Sequence, residues 1–481
     1  MSPIVTIAVI LAYFLLLYVI SVMSGRTARE DANHGFFQGN RQSPWPVVAI
    51  GMVGASLSGV TFVSVPGMVR GNGFLYMQTV LGFFVGYILI ARILLPLYFR
   101  MGGPSIYAFL GKRFGPAAHK TGSSFFFLSK IIGAAARLYV VAIILQTFLC
   151  DVLGIPFAVT VAAIILMIWL YTRRSGIKTI VWTDMLQTVC LLTALVLITI
   201  AVARGLGLNF SGSVKAIVAD SHFQWFEWSD WSSKQHFVKQ FFSGIFIALV
   251  MTGLDQDMMQ KNLSIPDLKA AQRNIYTYGA AFIPVNFLFL CLGVLLLLFA
   301  RQNGIDLPES SDSILPVLAT QGYLGGAVTV FFMIGIISAA FSSADSAIAA
   351  LTTSFCVDIL ERKDDVKLRK RVHVGVSLCM LLIILAIKAF NNTNLLDAIY
   401  VIAGYTYGPL LGLFAFGLTT RRPVNDRSVP FIAIASPLLC ALIQWVSTRL
   451  LGYSFGYELL MLNGLFTYAG LWLSGRSQTA R

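Results

Sequence analysis

Long apolar runs alternate with short polar intervals along the whole chain. The runs lie near 4 to 23, 46 to 69, 75 to 99, 122 to 149, 156 to 172, 178 to 203, 236 to 257, 272 to 300, 325 to 356, 373 to 390, 395 to 419, 429 to 448 and 455 to 474. A hydrocarbon core about 30 Å thick needs roughly 20 helical residues to cross, so each run predicts a membrane-spanning helix. Thirteen spans follow, in an all-α polytopic membrane protein. The first run has no basic stretch before it and no A-x-A-like site after it, which predicts an uncleaved span rather than a signal peptide.

Two spans interrupt the helical pattern. The second carries Gly51, Gly54, Gly59 and Pro66, and its Gly54-Ala55-Ser56-Leu57-Ser58-Gly59 run sits at mid-membrane depth. Backbone that unwinds there frees carbonyls, tolerable in lipid only where they line a cavity or hold an ion. The competing expectation is a tightly packed glycine-rich helix. The seventh span has weak points at Gly244, Thr252 and Gly253. These spans lie five apart, and a repeat of five must invert in the membrane because an odd number reverses the starting side. Paired broken helices in two inverted halves mark a central binding site. The predicted organisation is a first helix and loop (1–44), a first five-helix repeat (45–203), an outer loop (204–234), a second repeat (235–420) and two terminal helices with a short tail (421–481).

The ninth span contains GIISAAFSSADSAIAALTT over 335 to 353. At 100° per residue Ser338, Ser342, Asp345 and Ser346 share one stripe, with Ser343 at its edge. A carboxylate at a helix centre costs roughly 2.5–3.5 kcal/mol on insertion scales, so something must offset Asp345. A stripe of hard oxygens facing the bundle interior suits a small hard cation such as Na⁺. The serines alone are equally explained by close helix packing.

Composition narrows the class. The 481 residues are 57% hydrophobic and 12% charged, which no soluble multidomain protein of this length would show. A net charge of +14 invites a nucleic-acid reading, but the basic residues sit between apolar runs rather than on one face. Membrane orientation accounts for them and no nucleic-acid partner is expected. With the N-terminus outside, 24 Lys and Arg residues collect on the inner side, including Arg26, Arg29, Arg174, Lys261, Arg476 and Arg481, against seven outside. The positive-inside rule then predicts a multi-pass protein of the plasma (inner) membrane with a cytoplasmic C-terminus. Trp225, Trp228 and Trp231 in the outer loop suggest a short interfacial helix. Six scattered cysteines without a CxxC indicate neither a disulfide framework nor a zinc site.

Four local signatures, in order and on the expected spans, carry a family resemblance: Phe36-Phe37-Gln38-Gly39-Asn40-Arg41, Val181-Trp182-Thr183-Asp184-Met185-Leu186-Gln187, Asp255-Gln256-Asp257-Met258-Met259-Gln260-Lys261-Asn262-Leu263-Ser264, and the Ser338 to Thr352 stretch. Together they resemble the sodium:solute symporter family, whose core is the LeuT-type 5+5 inverted repeat with broken helices. The resemblance implies one Na⁺ site from the carbonyls of Gly54, Leu57 and Ala339 and the hydroxyls of Ser342 and Ser343. It implies a possible second Na⁺ at Asp184, Ser342, Asp345 and Ser346. The chain departs from the family at Asp345, where such members carry Ser or Thr. Two close carboxylates could hold a cation more tightly, share a proton, or pair with Lys130 or Arg137, and Asp184 could be a buried structural partner of a helix end.

For a substrate, the broken helix offers Ser56, Ser58 and Thr61, and the third span offers Phe74 and Gln78 at i, i+4. Arg137 is a lone guanidinium in the fourth span, suited to a carboxylate or to a salt bridge with Asp184 or Asp345. The set is similar to the site of the sialic-acid members. Thr61, Ala248 and Met251 depart from the sugar-transporting members, so a galactose-type site is not expected. The implied activity is Na⁺-coupled import of a small organic solute, an anion such as sialic acid or another carboxylate, by alternating access. A neutral solute, sugar, polyol or amino acid, with Arg137 structural, is the alternative. Neither clustered Mg²⁺-binding acids nor HExxH is present, and the tail after Ser474 is too short for a signalling domain, so neither an enzyme nor a sensor is expected. Tyr405 and Tyr407, among Gly404, Gly408 and Pro409, suggest a local break in the eleventh span with either a gate or a packing role. The expected partners are the solute, Na⁺ and the bilayer; the sequence leaves oligomeric state open.

Overall fold

The computed structural model describes residues 3–25, 32–173, 176–389 and 395–475. Arg26, Arg29, Arg174, Arg476 and Arg481 of the expected inner basic set lie outside the described residues. Every regular element among the described residues is a helix. A helix closes its own hydrogen bonds, as lipid demands. Seven helices are long and apolar enough to cross a membrane, and two bent pairs raise the number to nine. Shorter apolar helices at Ile7–Met23, Phe157–Thr172 and Leu459–Ser474, and the helix Leu395–Thr419, stand at four further expected positions.

Both expected interruptions are present. The second span is two helices, Trp45–Ser56 and Gly59–Asn72, meeting at 60° across Leu57 and Ser58. The seventh is bent by 63° between Phe237–Gly253 and Gln256–Leu263. Its break falls at Leu254 and Asp255, just beyond a π-turn over Leu249–Gly253 and not at Gly244. Gly244 instead serves close packing: a Cβ there would strike the Thr79 carbonyl and lie 3.1 Å from the Gly82 Cα. Small residues at that crossing let the third and seventh spans approach backbone to backbone.

Two expectations are corrected. The eleventh span is one continuous helix, Leu395–Thr419, with Pro409 inside it rather than a break. Trp225, Trp228 and Trp231 lie on irregular chain; the outer-loop helix is Phe210–Ala219, before them. The tryptophans pack on neighbouring rings, Trp225 on Phe223 and Phe287, Trp228 on Phe237 at 4.3 Å between ring centroids, and Trp231 on His236. Aromatic stacking, not an amphipathic helix, orders this segment.

The two ends of the bundle differ. At one end a cavity of about 450 Å³ is bordered by Asn72, Gln235, Gln240, Tyr405 and Tyr457, from three helices and two inter-span connections. At the other end the short helix Gln256–Leu263 is buried along its whole length. Gln260 Nε2 donates to the Phe37 carbonyl at 2.7 Å and to Thr353 Oγ1 at 2.9 Å, and the Ser43 N–H donates to the Ser264 carbonyl at 3.0 Å. Gly39 sits at φ +57°, and a Cβ on it would lie 3.2 Å from the Ile177 and Ser264 side chains. These contacts plug one end of the central path while the other stays open.

Candidate functional site

The break in the second span follows from local chemistry. Leu57 takes a non-helical conformation, its N–H closing on Val53, and Ser58 then caps the next helix by accepting from the Thr61 N–H at 3.4 Å. Carbonyls at a helix C-terminus carry partial negative charge without intrahelical partners. The ninth span, Gly326–Ser354, passes beside them: Ser343 Oγ lies 3.1 Å from the Ala339 carbonyl and 3.4 Å from the Ala55 carbonyl. Ser343 thus joins the two spans. Its contact on the break is the Ala55 carbonyl, between the expected ligands Gly54 and Leu57. Neutral oxygens from a helix end and a serine are a donor set that fits Na⁺.

Gly54 and Gly51 have a second role. A Cβ on Gly54 would collide with Thr188 Oγ1, and one on Gly51 would lie 2.9 Å from Asp184 Cβ. Their bare faces let the sixth span, Ile177–Gly205, bring Asp184 against the break. Asp184 is fully buried, accepts from Ser342 Oγ at 2.7 Å on Oδ1 and from Ser346 Oγ at 3.3 Å on Oδ2. The expected grouping of Asp184, Ser342 and Ser346 is therefore assembled. Asp345 is equally buried, and its Oδ2 accepts from Tyr171 OH at 2.8 Å.

Neither Lys130 nor Arg137 pairs with these acids. Lys130 Nζ lies 2.8 Å from Asp257 Oδ2 and 3.1 Å from both oxygens of Asp255, and Tyr407 OH donates to Asp255 Oδ2 at 2.8 Å. The acid that Lys130 leaves unserved, Asp184, takes Lys261 instead, Nζ to Oδ2 at 2.8 Å, with Asp257 Oδ1 3.6 Å from the same ammonium. Lys261 is 1% exposed. Counting it among cytoplasmic basic residues therefore misplaces it. A chain of alternating charge runs from Asp255 through Lys130, Asp257 and Lys261 to Asp184. Two aspartates two apart, followed four later by a lysine on the same short helix, were the available signal, since i, i+4 groups share a helix face.

Beside the break is a second cavity of about 120 Å³, lined by Ser56, Ser58, Thr61, Arg137, Asp255 and Ser343, among others. Ser56 Oγ bonds Tyr278 OH at 2.7 Å, which bonds Tyr87 OH at 2.8 Å. Thr61, Ala248 and Met251 also border it, and Met251 and Ile247 border the larger cavity too, so the two adjoin. Arg137 is half-buried and makes no ion pair or hydrogen bond among the described residues. Phe74 and Gln78 lie elsewhere. Gln78 Nε2 donates to the Gln235 carbonyl at 2.8 Å and its Oε1 accepts from the Glu227 N–H at 3.0 Å, while Phe74 packs on Phe223, Trp225 and Phe287. Both hold the outer loop.

A model of the sodium:solute symporter family matches residues 36–427. The sodium/sialic acid symporter NanT of Aliivibrio fischeri is 25% identical over 437 residues, 87% of this chain and 83% of that protein. The sodium/sialic acid symporter SiaT of Proteus mirabilis is 23% identical over 448 residues, 89% of this chain and 87% of that one. Among solved structures, a substrate-bound outward-open Na⁺-coupled sialic acid symporter aligns with a TM-score of 0.82 at 20% identity, covering 97% of each chain. Mhp1, a nucleobase-cation-symport-1 family transporter in a closed conformation, aligns with a TM-score of 0.53 at 13% identity, covering 91% of this chain and 93% of that one. Fold, break and serine-lined helix thus meet the family match over most of the sequence, and the chain belongs to the sodium:solute symporter family, coupling transport to Na⁺.

Proposed function

We propose that this chain imports a small organic carboxylate together with Na⁺, the acid group seated on Arg137. What supports the reading is the guanidinium itself: it borders the cavity beside Ser58 and Thr61 without an ion-pair partner among the described residues. A half-buried guanidinium at this depth calls for an anion, and its planar fork matches a carboxylate. The named relatives carry sialic acid, which makes that sugar acid the first candidate. The inner cavity, about 120 Å³, is smaller than a usual ligand pocket of roughly 300–1,000 Å³. The acid head occupies it, and any bulkier remainder extends past Ile247 and Met251 into the adjoining cavity.

With the N-terminus outside, the larger cavity faces the exterior and the plugged end faces the cytoplasm, an outward-facing state. Na⁺ at Ala55, Ala339 and Ser343, with Gly54, Leu57 and Ser342 beside it, ties the broken span to the ninth and favours the solute-binding arrangement. The test is a thermal-shift panel of sugar acids, short monocarboxylates and neutral sugars, with and without Na⁺, on wild type and Arg137→Ala. A carboxylate-specific, Na⁺-dependent shift lost in Arg137→Ala supports the reading. A shift by a neutral solute that survives the substitution overturns it.

A further inference from the structure

The cluster around Asp184 does not fit a second sodium ion, and that misfit has a specific cause. Asp184 Oδ1 takes the Ser342 hydroxyl at 2.7 Å, and Oδ2 takes the Ser346 hydroxyl at 3.3 Å and the Lys261 ammonium at 2.8 Å. Both oxygens already face donors, with Lys261 supplying a full positive charge. All four residues are at most 1% exposed, so water does little to screen it.

We propose that the Lys261 ammonium is the resident cation of the position formed by Asp184, Ser342 and Ser346, so that this chain binds one Na⁺ and not two. The inference rests on the Na⁺ site at Ser343 described above. An ion coordinated by Asp184 Oδ2 would sit within about 4 Å of the ammonium. At an effective dielectric near 20, like charges that close weaken binding by roughly a thousandfold. Displacing the ammonium is no easier, because Lys261 would then have to leave both Asp184 and Asp257 while remaining in a dry interior.

Asp345 does not restore the site. Its Oδ2 accepts from Tyr171 OH at 2.8 Å, and although its Oδ1 has no hydrogen-bond partner among the described residues, a cation bridging it to Asp184 meets the same ammonium. Mechanically, Lys261 belongs to the inner half of the broken seventh span, and Asp184 to the sixth. The pair joins these elements as a bound ion would, but at any external Na⁺ concentration. Occupancy at Ser343 alone then reports the sodium gradient.

Equilibrium binding of ²²Na⁺ to the purified full chain, with no solute present, reads the count directly. The expected result is one ion per chain with a Hill coefficient near 1 for wild type and Lys261→Arg. Lys261→Met should bind two, and Lys261→Met with Asp184→Asn should return to one. Two ions in wild type overturn the proposal even if no variant folds, as does a monodisperse Lys261→Met that still binds one. Ser343→Ala separates the two claims: loss of the wild-type ion there tests the first site, while the second is read from Lys261→Met.

Discussion

Lys130 Nζ stands 2.8 Å from Asp257 Oδ2 and 3.1 Å from Asp255, pinning the fourth span to the mouth of the broken seventh. All three side chains are at least nine-tenths buried, so the ammonium's removal leaves Asp255 without its cation in low dielectric and Asp257 with only Lys261 at 3.6 Å. Lys130→Met should destabilise by about 3–5 kcal/mol. A melt in detergent checks it, and the Lys130→Met, Asp257→Leu double substitution should recover part of the loss.

Gly54 is required by Thr188. Because a Cβ there would collide with the Thr188 hydroxyl, Gly54→Ala should cost roughly 1–3 kcal/mol through overpacking. Thr188→Gly in the same chain should relieve most of the cost. Equal loss in the single and double variants would show that the glycine serves the break itself, not the crossing.

Gln78 bridges residues 227 and 235 of the outer loop and does not border the inner cavity. Gln78→Ala should therefore speed amide hydrogen exchange over 226 to 236 and leave solute affinity within about threefold, a change under 0.7 kcal/mol. A tenfold loss of affinity with unchanged exchange would place the amide on the solute.

The same loop carries a pH dependence. Asp220 accepts from the His222 N–H at 2.9 Å and from its Nδ1 at 2.5 Å, with Arg301 3.6 Å away. Burial alone would raise this carboxyl, but the His222 bonds outweigh it and hold the group below the usual carboxylate range. A carboxyl depressed in the folded state adds stability above its unfolded pKa, about 3.9, that is lost as pH falls through the folded value. The protection of the loop amides, measured against their unstructured exchange rates at each pH, should fall below about pH 4. Asp220→Asn should remove the pH-dependent part.

The sequence carried the architecture well because hydrophobic length and glycine placement are local signals. The break at Leu57 and Ser58 was readable from Gly54 and Gly59, and the convergence of Ser342 and Ser346 on one face from helical periodicity. Partner choice was not local. Lys261 looked like an ordinary inner-loop cation, and only the 63° bend that folds Gln256–Leu263 back into the bundle makes it a buried partner of Asp184. Gln78 and Phe74 had the right spacing for a pocket, but an outer loop about 150 residues away claimed both, which no periodicity reports. In the eleventh span Pro409 and its neighbouring glycines suggest a break, yet Leu395–Thr419 runs through them as one helix.

Sodium drive through the joint between Ser343 and the carbonyl end at Ala55 is the centre of the account. It is tested by loading proteoliposomes with wild-type protein or Ser343→Ala and following uptake of the radiolabelled carboxylate that gives the largest thermal shift, under an inward Na⁺ gradient and under an equal K⁺ gradient. Uptake driven by Na⁺ alone, and reduced at least tenfold in Ser343→Ala with binding of the solute still measurable at high Na⁺, is the predicted result. Equal uptake under K⁺, or Na⁺-driven uptake unchanged by the substitution, would contradict it.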